Sequence, residues 1–192
     1  MGVVKLSTAG ILDYSKTSNF LSGNSAASYA TGFDLLETTT LSTDTSSITF
    51  SGLSAYATDY KHLQIRAVVR GSFFLNIRLN GDSGSNYAIH SLQGNGSSVS
   101  SSSTTSASTA EFVGSAGGSE DANAFGALVV DFLDAYSGSK NTTMRGLGGK
   151  STSNPRIALD SSLWNNTAAI SSMELFGGTW VAGSRFSLIG SK

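Results

Sequence analysis

Alternation of apolar and polar residues is the feature of this sequence that most limits its fold. Between Phe73 and Leu79 every second residue is large and apolar. Leu63, Ile65 and Ala67 share a single phase in the run before it. Period-two alternation is typical of a strand that buries one face. Because a slip of one residue would turn the whole apolar set toward water, the pattern also specifies how these strands pair.

Short runs of this kind recur from Phe33 onward at roughly 8–15-residue intervals, separated by turn-forming Gly, Asn, Asp and Ser. The run 125–133 is apolar at nearly every position, as expected of a central strand. The β-branched and aromatic residues within 123–134 favour a strand there over a helix. We therefore predict an all-β fold of roughly nine to eleven strands, a jelly-roll-like β-sandwich over residues 33–192, with a barrel as the alternative.

Residues 1–32 follow no clear period. Ile11, Leu12, Phe20 and Leu21 are scattered among Ser, Thr, Gly and Asn. A frayed terminus is one interpretation. The number of large apolar groups favours another, an extended N-terminal arm that serves attachment or subunit contact.

The chain is rich in hydroxyl residues and poor in charged residues. It has 36 Ser and 18 Thr among 192 residues, and only 13% of its residues are charged, for a net charge of −1; about 25% is usual. We expect no nucleic-acid partner, because no basic patch could neutralise several phosphates. We expect no membrane partner, because no apolar run approaches the roughly 18 residues of a membrane span. The absence of Cys excludes disulfides and thiolate chemistry.

The low-complexity stretch 94–110 consists almost wholly of Ser, Thr, Gly and Ala. Such a composition predicts a mobile surface loop. In an oligomer the same stretch would instead be a contact loop.

Residues that could carry catalysis are sparse. His62 and His90 lack the spacing of a metal-binding pair, and no Gly-x-Ser-x-Gly motif presents a nucleophilic serine. Asp131, Asp134 and the acidic pair at 120–121 would form a glycosidase site only if two carboxyl groups faced each other across a cleft. We predict no enzymatic activity, no catalytic, cofactor-binding or metal-binding residues, and no cofactor.

The segment 80–87 is the most suggestive of a ligand site. Asn80, Asp82 and Asn86 supply oxygens at alternating positions, as a calcium loop does, but Ser91 stands where such a loop places a bidentate Glu. A structured hairpin turn, with Asn and Asp side chains bonded to their own backbone, is the favoured interpretation.

The aromatic residues leave two interpretations open. They could form a sugar-stacking face, or they could belong to the core or to an interface, which is more usual for Trp in a sandwich. The residues concerned are Trp164, Trp180, Tyr56, Tyr60, Tyr87 and Tyr136.

About three-quarters of the chain, residues 46–190, resembles a group of small structural proteins of tailed bacteriophages, of the kind described as tail or virion proteins. The segments that carry the likeness are 47–53, 60–66, 80–87, 124–134, 163–170 and 183–190. The Asn-Gly-Asp segment at 80–82 and the Ser-Arg-Phe-Ser-Leu run at 184–188 are the more specific of these. Residues 1–32 fall outside the likeness.

The resemblance implies a structural protein on the exterior of a phage virion. A compact sandwich that follows an arm with scattered apolar residues suits a homotrimeric capsid decoration (cement) protein. The arms of such a protein would bind the major capsid protein or other virion proteins and hold neighbouring subunits together. The alternative is a tail-fibre or baseplate module that contributes to binding a host surface glycan. The resemblance brings no catalytic residues with it.

Overall fold

The structure of the protein is a computed structural model and describes residues 32–117 and 120–192. Nearly all of the predicted arm, residues 1–31, lies outside the described residues. Phe33–Lys192 form one compact unit, in which thirteen strands and one turn of 3₁₀ helix (Leu53–Tyr56) are described. The all-β sandwich predicted from the sequence is confirmed.

The strands are named in chain order. They are β1 (Asp34–Thr40), β2 (Thr45–Ser51), β3 (His62–Gly71), β4 (Phe74–Leu79), β5 (Tyr87–Gly94), β6 (Val99–Ala107), β7 (Ala110–Val113), β8 (Ala116–Gly117), β9 (Gly126–Leu133), β10 (Thr142–Lys150), β11 (Arg156–Trp164), β12 (Ser172–Trp180) and β13 (Arg185–Ser191).

Two sheets of unequal size form the layers. The large sheet has the order β1-β13-β3-β9-β10-β11-β5-β6, with β8 added in parallel to β3, and the small sheet has the order β2-β12-β4-β7. The other pairings are antiparallel. Some strands that follow each other, such as β1 and β2 or β3 and β4, fall in opposite sheets, whereas β5 and β6, and also β9, β10 and β11, are neighbours in the large sheet. The jelly-roll topology stays a prediction.

The core lies between the two sheets. The residues that face it are the ones that the apolar alternation predicted to be buried. Leu63, Ile65 and Ala67 on β3 are buried, and so are the apolar residues of β4 from Leu75 to Leu79. The run 125–133 forms β9, between β3 and β10 in the large sheet, which confirms the predicted central strand.

Small residues let the two layers come together at one end of the sandwich. A Cβ on Gly148 of β10 would overlap the carbonyl oxygen of Val113, and one on Gly126 of β9 would overlap that of Gly114. The backbone after β7 therefore lies directly on the large sheet. Asp160 of β11 joins the layers there, because its carboxylate accepts from the Val113 amide at 2.8 Å and from the Ser91 hydroxyl at 2.5 Å.

Two details of the sequence prediction need correction. The stretch 94–110 is not simply a loop, because β6 occupies most of it and pairs with β5 from Gly94 to Tyr87. Both faces of β6 are exposed except at Ala107, so no apolar period marks it. The strand count was also too low, since short strands such as β7 and β8 carry too few residues to show a period.

Candidate interaction surface

A row of large apolar side chains crosses the outer face of the large sheet, on the side away from the core. Val129, Leu147, Leu159 and Leu92 stand directly opposite one another on β9, β10, β11 and β5. Their exposed fractions are 37%, 57%, 52% and 50%. Apolar cross-strand neighbours exposed to this degree form a continuous patch, whereas single exposed residues are unremarkable on a protein surface.

A second row runs beside the first, two residues along each strand. It consists of Ala127, Gly149, Ile157, Gly94 and Val99 on β9, β10, β11, β5 and β6. Ile157 is 62% exposed and Val99 is 75% exposed. Because two of the five positions are glycines, the second row has gaps that the first row lacks. We call the two rows together the apolar face.

Shallow grooves follow the apolar face. One, of about 280 Å³, lies between Leu92, Val99, Leu147 and Leu159. Another, of about 500 Å³, runs from Phe125 past the second row toward Lys150. The outer face of the large sheet is therefore grooved rather than flat along the two rows.

Polar groups border the apolar face along one side. Asp131 on β9 accepts from the Gln64 amide at 2.7 Å and from Arg145 at 3.3 Å, and Arg66 donates to Gln64 at 2.7 Å. An apolar centre with a polar rim is the usual anatomy of a protein–protein interface.

The outer face of the small sheet is different in character. Arg78 of β4 and Glu174 of β12 form an ion pair there at 2.9 Å, and the Arg78 guanidinium also lies 4.7 Å from the centre of the Phe176 ring. All nine exposed large apolar side chains among the described residues belong to the large-sheet side, and none to the small sheet. The sandwich thus has one polar face and one apolar face.

The candidate calcium loop is a structured turn. Asp82 accepts from the Gly84 amide at 2.9 Å, from Asn86 at 3.0 Å and from the Trp164 indole at 2.7 Å. These donors lower the pKa of Asp82, and the Trp164 hydrogen bond has the largest effect. Asn80 accepts from the Ser171 amide at 2.7 Å. The oxygens thus hold backbone and side-chain donors, as the favoured interpretation expected. The predicted hairpin is wrong, because the segment joins β4 of the small sheet to β5 of the large sheet and these two strands do not pair.

The histidines and acidic residues are dispersed. The His62 ring accepts from the Asp134 amide at 2.9 Å, while the Asp134 carboxylate pairs with Lys140 at 2.6 Å, which lowers its pKa. Glu120 pairs with Lys150. His90 is exposed on the large sheet opposite Ser161. Across residues 32–117 and 120–192, no three His, Asp or Glu side chains are grouped so that they could hold a metal ion.

Three of the six aromatic candidates are buried in the core and cannot stack against a sugar. Trp164 and Tyr87 are each 1% exposed and stack with ring centres 6.5 Å apart, and Trp180 is fully buried against Phe186. The core interpretation is therefore the right one for these three. Tyr136 is half-buried, and its hydroxyl donates to the Leu53 carbonyl.

Sequence reasoning missed the apolar face, although one signal for it exists. On β11 the residues that share a face with Trp164 are Ala158, Asp160 and Ser162, while Ile157 and Leu159 have the opposite phase. A buried Trp fixes the inward phase, so the large aliphatic residues of this strand must point outward.

Comparisons with protein-family models, with curated proteins and with solved structures find no match to this chain. Within the part of the chain that the structure describes, no helix is long and apolar enough to cross a membrane.

Proposed function

We propose that this protein is a non-enzymatic structural component that works through contacts with other chains. The observation that carries the proposal is the apolar face, which nothing in the described residues covers. Its exposed residues lie side by side on neighbouring strands, and large exposed apolar patches mark interaction sites. Asp82 is engaged in a turn, and Asp134 and Glu120 are engaged in ion pairs.

Within that class, we propose a capsid decoration (cement) protein on the exterior of a tailed-phage virion. The support is the resemblance over residues 46–190, together with a compact sandwich that offers one apolar face to a partner. The partners would be copies of this chain and the major capsid protein or another virion protein. The predicted arm would add a second attachment, and it falls in residues outside the structural description.

The alternative is a tail-fibre or baseplate module that binds a host glycan. One feature favours it: a groove of about 570 Å³ on the large sheet is lined by His90, Ser103, Thr105, Thr143 and Ser161 among others. Hydroxyl and imidazole groups can hydrogen-bond to sugars. The buried Trp residues supply no stacking platform for them.

Copy number separates the two roles. Quantitative mass spectrometry of purified virions should find this chain at a copy number comparable with that of the major capsid protein if it decorates the head. A few copies per particle would reject decoration and favour the fibre role, as would binding of the purified protein to host cells. Absence of the chain from washed virions would reject both.

Removing residues 1–32 tests the arm. The truncated chain should keep its folded sandwich, because Phe33–Lys192 is a compact unit, but should no longer bind to particles that lack the protein. Binding by the truncated chain at full strength would assign attachment to the sandwich alone.

A further inference from the structure

We propose that the apolar face binds the same face of a second copy of this chain about a two-fold axis. This inference deepens the proposed function and rests on one part of it, namely that the protein acts by assembling with other chains. The occupant is identified by the size of the face, by its lack of charge and by the match between its two rows.

The apolar face is large enough to form the centre of such a contact. Its six large apolar side chains are between 37% and 75% exposed, which leaves on the order of 100 Å² of accessible surface on each and on the order of 600 Å² on the two rows together. Stable interfaces bury about 800 Å² on each partner. The apolar face would form the centre, and the polar groups around Asp131 and Arg66 would form the rim.

The absence of charge suits contact between identical surfaces. No charged side chain lies in the two rows or at Ser101, which stands beside Leu92 on β6. The first row is Val129, Leu147, Leu159 and Leu92, and the second is Ala127, Gly149, Ile157, Gly94 and Val99. A charge within the rows would be brought close to its own copy, which would oppose association.

The two rows also complement each other in shape. Consider a two-fold axis that runs across the strands, midway between the rows and parallel to the face. Rotation about it places the first row of one copy over the second row of the other, strand by strand. Leu147 then faces Gly149 of the partner subunit, and Leu92 faces Gly94 of the partner subunit.

The remaining positions follow the same rule. Val129 faces Ala127 of the partner subunit, so another large side chain meets a small one. Only on β11 do two large residues meet, Leu159 and Ile157 of the partner subunit, at the middle of the face. The strands of the two copies lie antiparallel, which agrees with the aligned packing usual between two sheets. This arrangement makes a dimer rather than the trimer predicted from the sequence.

Sedimentation equilibrium of the full chain from about 1 to 100 µM tests the proposal, because a dimer becomes visible once the concentration passes its Kd. We expect a mass twice the 19.8 kDa of one chain. Leu159→Lys should raise the dimer Kd roughly 100-fold, since an unpaired ammonium would be buried in the contact. Thr49→Lys, the same new side chain on the exposed outer face of the small sheet, should leave the Kd unchanged.

Gly94→Leu provides an independent disruption. A Cβ at Gly94 meets only Ile157 at 3.6 Å, an ordinary contact, so the single subunit should fold normally. The added side chain fills the gap that Leu92 of the partner subunit would enter, and we expect roughly a tenfold rise in Kd from overpacking. Circular dichroism of each variant checks its fold.

Three outcomes would overturn the proposal: a monomer at the highest concentration, a trimer, or a dimer that neither Leu159→Lys nor Gly94→Leu weakens. A monomer whose apolar face is nevertheless protected from solvent would assign the cover to residues 1–31 instead. None of these results depends on finding the chain in a virion, so the proposed function can fail or stand separately.

Discussion

Replacement of Asp160 tests how the two layers are joined. This residue is 1% exposed. Its carboxylate accepts from the Val113 amide of β7 and from the Ser91 hydroxyl of β5. Asp160→Ala removes both acceptors. It leaves the Val113 N–H without a partner in a buried position, and Ser91 keeps only its contact with Gln93.

The expected cost follows from those two bonds. An orphaned buried amide costs about 1–3 kcal/mol, and the loss of a net hydrogen bond costs about 1 kcal/mol. Asp160→Ala should therefore lower the free energy of unfolding by about 2–4 kcal/mol. In Asp160→Asn the amide oxygen can accept from Val113 while the amide nitrogen donates to Ser91, so this variant should lose less than about 1 kcal/mol.

The pH dependence of the two proteins should also differ. Burial raises the pKa of Asp160 above its ordinary value of 3.8. The folded state therefore holds the proton more tightly than the unfolded state, and this contribution to stability is complete below pH 3.8 and is lost as the pH rises through the folded pKa. The stability of the natural chain relative to Asp160→Asn should accordingly fall as the pH rises from about 4.

Urea unfolding followed by fluorescence of the buried Trp164 and Trp180 measures these differences, because both indoles reach water on unfolding. Comparing the two proteins at each pH cancels the titration of other groups. The reasoning is refuted if Asp160→Ala is as stable as the natural chain. Equal losses in the Ala and Asn variants would contradict the assignment of the two hydrogen bonds.

Three further predictions concern Gly148, Asp82 and a pair of tyrosines. Gly148→Ala should cost about 1–3 kcal/mol in urea unfolding, because its methyl group would overlap a facing backbone carbonyl; an unchanged midpoint would show that the layers can separate there. Asp82→Ala should cost about 1–3 kcal/mol by leaving the buried Trp164 indole unpartnered. Because the pKa of Asp82 is lowered in the folded state, its contribution to the free energy of unfolding is present above pH 3.8 and is lost as the pH falls. An Asp82→Ala variant whose stability falls with acid as steeply as that of the natural chain would contradict this. Burial raises the pKa of Tyr87 and Tyr136 to about 12. Absorbance titration should therefore show both ionising well above pH 10, with stability falling through that range, and full ionisation of every tyrosine near pH 10 would be inconsistent with their burial.

The sequence was sufficient to predict the sandwich because half-buried strands reveal themselves by their period. β3 and β4 each bury one face, so the alternation of their residues predicts both the strand and the side that faces the core. β9 was recognised for another reason: its run is apolar on both faces. That run also predicted cover on both faces, yet Val129 stays 37% exposed on the outer side.

The elements that sequence reasoning missed are those without an apolar period. β6 has almost no buried side chain, so its pairing with β5 rests on backbone hydrogen bonds that any sequence without proline can make. The apolar face escaped prediction because it depends on register. Leu147 and Leu159 become neighbours only when β10 pairs with β11, and no local pattern specifies that pairing.

The central claim is that the apolar face is covered when the protein is assembled, and hydroxyl-radical footprinting of the full chain measures this directly. Leu92, Leu147, Ile157 and Leu159 should be oxidised slowly in the natural chain at concentrations where it associates. The same residues other than the substituted one should be oxidised quickly in Leu159→Lys. Rapid oxidation of all four in the natural chain, at a rate that the substitution does not change, would contradict the claim.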